Sequence, residues 1–171
     1  MRLLLLSSLL CLSGCSLFGS PTLDFDQMRG TLTEAEAMAL QPSLNWQCSA
    51  NDPASAAQFG DRVCDGLAKT LNGIPAARVD YLFRDGTLSF AIIEFNPNAY
   101  EPLAKFMDSK YKRHTSDDKL GSAHAMFQGN LTTWDVADGI AVTSATDKKP
   151  DGNVFMLWSS NKERDRLAAS H

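Results

Sequence analysis

The chain is poor in the residues and motifs from which common active sites are built. It holds 3 histidines and 4 cysteines in 171 residues. It carries no Gly-x-Ser-x-Gly turn, phosphate loop, dinucleotide fingerprint or His-Glu-x-x-His pair. Enzymes built on those motifs are therefore disfavoured, and no pattern implies a cofactor. Basic residues are in deficit, 16 Lys and Arg against 20 Asp and Glu, for a net charge of −4. An acidic surface speaks against nucleic acid as a partner and against a polybasic grip on anionic lipid. Low-complexity tracts are absent, and no apolar run reaches the roughly twenty residues of a membrane-spanning helix.

Apolar residues are concentrated at the start. Arg2 precedes a leucine-rich stretch from Leu3 to Leu12, and the small residues Ser13 and Gly14 lead directly into Cys15. A charged start, a short apolar run and small residues at its end predict a cleaved secretory signal. Leu12-Ser13-Gly14-Cys15 resembles the lipobox of bacterial lipoproteins. That resemblance implies a diacylglycerol on the Cys15 thiol, cleavage just before it, and anchoring by acyl chains at about 0.8 kcal/mol per buried methylene. In Gram-negative envelopes an aspartate after the cysteine favours retention in the inner membrane. Ser16 stands there instead, which implies the outer membrane, facing the periplasm; the outer face of a plasma membrane is the alternative. An ordinary signal cut near Gly19 or Ser20 is the competing reading.

The chain then divides into a leader at 1–14, a lipidated N-terminus and tether at 15–31, and a single domain at 32–171. Cleavage would leave 157 of the 171 residues and remove one basic side chain, Arg2, for a charge of −5. That length suits one core. Cys11 would leave with the leader and Cys15 would carry lipid, so Cys48 and Cys64 remain. In an oxidising compartment they are expected to pair. For a loop of that length the chain-entropy model gives about 3 kcal/mol. A redox or metal-binding thiol pair is the alternative, without the Cys-x-x-Cys spacing such sites use. The enclosed residues 49–60 are small and polar and read as a loop.

Thr33-Glu-Ala-Glu36 has the capping-box pattern and predicts a short helix with Ala35, Met38 and Ala39 toward the core. Downstream, Asn72-Gly73, Asp85-Gly86, Asp138-Gly139 and Asp151-Gly152 predict tight turns. Val79, Tyr81 and Phe83 before Asp85-Gly86, with Leu88, Phe90 and Ile92 after it, predict one hairpin. Thr132, Trp134 and Val136 before Asp138-Gly139, with Ile140 and Val142 after it, predict another. Residues 154–158 are apolar on both faces and predict a central strand. Between these regions Asn98 is expected to cap a helix whose apolar stripe is Tyr100, Leu103, Met107 and Tyr111, flanked by Phe106. Ser160-x-x-Glu163 predicts a capped terminal helix. The fold class is α+β: an antiparallel β-sheet with one principal helix packed on one face, plus a short N-terminal helix and one disulfide.

His114, Asp117, Asp118 and His124 form a weak candidate metal cluster, in a stretch that also reads as a solvated polar loop. Ser122, His124 and Asp117 offer the residue types of a hydrolytic triad without its recognisable pattern. Trp134 and Phe127 are placed where an edge strand could line a groove. The leading expectation is a non-enzymatic envelope domain that binds another envelope protein, as a subunit, assembly factor or inhibitor. A lipid, glycan or metal carrier is the alternative, and a hydrolase the third reading.

Overall fold

The computed structural model describes residues 22–114, 131–145 and 152–169. The first half of this chain comprises α1 (Glu34–Ala39), β1 (Gln47–Ala50), α2 (Pro53–Phe59), β2 (Arg62–Leu67), β3 (Thr70–Leu71), β4 (Ile74–Arg84), β5 (Thr87–Phe95) and α3 (Tyr100–Lys110). The second comprises β6 (Lys112–Arg113), β7 (Leu131–Val136), β8 (Gly139–Ser144), β9 (Val154–Ser160) and α4 (Asn161–Ala168). The strands form one antiparallel sheet in the order β1-β2-β4-β5-β9-β8-β7-β6, with β3 paired to β4 off this path. Strands before α3 make one side of the sheet and strands after it the other, joined where β5 meets β9. Among the described residues no helix is long and apolar enough to cross a membrane.

Local sequence explains most of these elements. Asn72 and Gly73 take φ of 52° and 75°, Asp85 and Gly86 take 51° and 74°, and both pairs turn hairpins. Positive φ at two successive residues matches the right-handed twist of the flanking strands. The Thr33–Glu36 capping box forms as the spacing predicts, and Ser160 caps α4 by accepting from the Glu163 N–H. Central β9 is buried along almost all its length, as its continuous apolar run requires.

Five expectations are corrected in detail. In α1 it is Ala37 that is buried, while Ala35 and Ala39 are exposed and Met38 is half-buried; the capping geometry sets the helix phase. Residues within the disulfide loop form α2, because Asp52 accepts from the Ala54 and Ser55 N–H groups and Pro53 sits in the first turn. Asn98 is not the cap of α3: it takes φ of 69°, and Ala99 precedes the helix without a side-chain bond. The second hairpin turns at Ala137-Asp138, with Gly139 already paired to Val136. In β5 the register shifts opposite Leu82 and Phe83, so Leu88 faces the larger core while Phe90 and Ile92 face the other way. The shift leaves Ser89 as the extra residue, its hydroxyl donating to the Leu82 carbonyl at 3.2 Å.

The larger core joins one sheet face to α3 and to the N-terminal segment. Val79, Tyr81, Ile93, Trp134, Met156 and Trp158 from the sheet are at most 1% exposed, and Leu103 and Met107 of α3 join the same cluster. Leu23, Phe25 and Met28 are at most 3% exposed in this cluster, so packing begins ahead of α1. The segment is also held at Asp138, whose carboxylate accepts from the Gly30 N–H at 2.8 Å. Burying a side chain such as Phe25 stabilises the fold by about 1.5–3 kcal/mol.

Candidate functional site

The opposite sheet face carries a smaller core of Leu82, Phe90, Ile140, Val142 and Leu157. Helix α2 reaches it through Phe59, edge-on to Phe90 at 6.0 Å between ring centres, and α4 reaches it through Leu167. Val63, Ile92, Leu131 and Phe155 pack on the same cluster while remaining only half-buried. Leu67, at the end of β2, is 75% exposed. Two helices therefore cover part of this face, and the band formed by Val63, Ile92, Leu131 and Phe155 stays half-buried.

Charged groups border the band. Asp65 and Asp80 are directly opposed on β2 and β4, an arrangement that repels unless a cation intervenes. Arg78 supplies it, with Nε 2.5 Å from Asp80 and a terminal nitrogen 3.9 Å from Asp65. Its hydrogen bond to Asp80 raises the guanidinium pKa. Glu94, across from Arg78 on β5, accepts from the Asn153 amide at 2.7 Å.

The predicted site residues are only partly placed. His114 follows β6 rather than lying in a solvated loop: its N–H donates to the Thr133 carbonyl at 2.8 Å, and its Nδ1 lies 2.8 Å from the Asp135 carboxylate. The His114 side chain is 12% exposed and that of Asp135 is 49% exposed. Asp117, Asp118, Ser122, His124 and Phe127 lie outside the described residues. Asp135 was not anticipated. Its signal was present, since Thr132, Trp134 and Val136 share one face of β7 and leave Asp135 on the other, but the pairing with His114 requires β6.

Trp134 does not line an edge groove, because β6 pairs outside β7 and covers it. It is fully buried, donates from Nε1 to Asp108 at 2.9 Å, and lies 6.0 Å beneath the Arg113 guanidinium. Arg113 holds Asp108 through two bonds of 2.7 Å. These donors, Arg113 first, hold the Asp108 carboxyl below its ordinary pKa. The group docks the end of α3 onto the sheet.

Cys48 and Cys64 are joined by a disulfide between directly opposed positions of β1 and β2. Glu34, on α1, brings a carboxylate oxygen within 4.8 Å of both sulfurs, and Arg62 pairs with that carboxylate at 2.6 Å. Two cavities among the described residues measure about 150 and 110 Å³. The first lies between the N-terminal segment and Tyr81, where Gln41 donates to the Thr22 carbonyl; the second lies beside Arg84, Lys162 and Glu163. Both fall short of the roughly 300–1,000 Å³ of typical small-molecule pockets. No family model, curated protein or solved structure matches this chain.

Proposed function

We propose that this chain is an outer-membrane lipoprotein anchored through Cys15, whose periplasmic domain docks another envelope protein as a subunit, assembly factor or inhibitor. The observation that carries the docking surface is the band of Val63, Ile92, Leu131 and Phe155, half-buried on the sheet face away from the larger core. Apolar side chains grouped in this way, with charged groups at their margin, match the make-up of a protein-binding surface. The Asp65–Arg78–Asp80 group would contribute orientation more than affinity. The anchor rests on the lipobox-like leader, and the oxidising compartment accords with the disulfide.

Site-specific photo-crosslinking in living cells tests the surface. A photoreactive residue at Ile92 is expected to give a discrete adduct with one envelope protein, whereas one at exposed Lys105 on α3 does not. Ile92→Asp should abolish an adduct formed from Phe155. No adduct at either position, or the same adduct from Lys105, would reject this face as the docking surface.

A further inference from the structure

We propose that, once its disulfide is reduced, this protein binds a single copper(I) ion through the Cys48 and Cys64 thiolates and the Met38 thioether. The three sulfurs come from three elements, and the fold brings them together. Cys48 and Cys64 are directly opposed across β1 and β2, so both side chains leave the sheet on the same face. Met38 lies on α1 with its sulfur 3.6 Å from that of Cys48. One helical turn earlier, Glu34 places a carboxylate oxygen within 4.8 Å of both cysteine sulfurs. Cys48 is on an exposed edge strand, which gives an ion a route in, while Cys64 is buried.

The choice of metal follows from the donors. Arg62 holds both Glu34 oxygens, at 2.6 and 3.3 Å, so the hard donor is already paired with a cation. What remains is a set of three soft sulfurs. Thiolate and thioether select copper(I), a filled-shell ion content with three ligands, whereas structural zinc sites close with four. The disulfide form offers no thiolate and is the unloaded state. A dithiol reductant transfers two electrons and two protons to the Cys48–Cys64 bond and is itself oxidised to a disulfide; copper(I) then displaces the two thiol protons to solvent. The site is thus available only under reducing conditions.

The test uses the purified protein, reduced with a dithiol, freed of reductant without air, and mixed with copper(I) held by a chromogenic chelator. Reduced protein is expected to withdraw one equivalent of copper, and the disulfide form none. Met38→Leu should weaken binding about tenfold or more, as loss of a ligand requires. The Cys48→Ser/Cys64→Ser double variant should withdraw none, while Glu34→Gln should bind nearly as the parent does. Far-UV circular dichroism follows the fold of each form. Failure to take up copper, unchanged affinity in Met38→Leu, displacement by equimolar zinc, or loss of the folded signal on reduction would each overturn the proposal.

Discussion

At Gly139 a methyl group would sit 2.1 Å from the Ser159 carbonyl oxygen, with φ at +156°. Close backbone approach between β8 and β9, more than turn chemistry, demands glycine there. Gly139→Ala should therefore destabilise the domain by more than about 1 kcal/mol, read from the urea midpoint. Two carboxylates set an acid limit in the same way. Asp24 is held below the ordinary range mainly by its bond from Lys110, and Asp108 mainly by Arg113. Because both bind protons more weakly folded than unfolded, their contribution is complete above the unfolded carboxylate value of about 4 and fades as pH falls through the depressed values. Melting temperature should drop below about pH 4, and Asp24→Asn with Asp108→Asn should flatten that drop. An unchanged profile would mean that these bonds do not persist in solution. His114→Ala removes a partly exposed pair with Asp135 and should cost no more than about 1 kcal/mol.

Among the elements, β1 depends most on a covalent link. It is a four-residue edge strand with every residue exposed, paired only to β2. Its hold on the sheet is the Cys48–Cys64 bond together with its ladder. Replacing both cysteines by serine should lower stability by about 3 kcal/mol, measured by denaturant unfolding. Both thiols should alkylate only after reductant is added. Ready alkylation of the untreated protein would show that the bond does not form in the cell. At the other edge, β6 presents Lys112 and Arg113, charges of the kind that discourage edge-to-edge association.

For the molecule as a whole, attachment and docking are separable. Cys15→Ser should abolish labelling with a radioactive fatty acid and move the protein out of the membrane fraction, while leaving the adduct chemistry at Ile92 intact in soluble extracts. Continued labelling of that variant would remove the lipid-anchor reading without touching the docking face. The converse result, normal anchoring with no adduct, would remove only the docking proposal. The two halves of the sheet meet at β5 and β9, so a change in that seam should affect both.

The sequence by itself determined what depends on near neighbours. The capping residues at Thr33 and Ser160, the hairpin turns at Asn72-Gly73 and Asp85-Gly86, the central place of β9 and the stripe on α3 all follow from local conformational preference or from periodicity. The Cys48–Cys64 bond matches the pairing expected if Cys11 and Cys15 both belong to a lipoprotein leader. Tertiary structure alone decided which face each side chain joined once a bulge intervened: Leu88 and Phe90 are two residues apart yet lie in different cores. It also decided that β6 covers Trp134, that His114 meets Asp135, and that Met38 reaches the disulfide. These are contacts between residues distant along the chain, and their geometry depends on how whole elements pack, which neither spacing nor composition encodes.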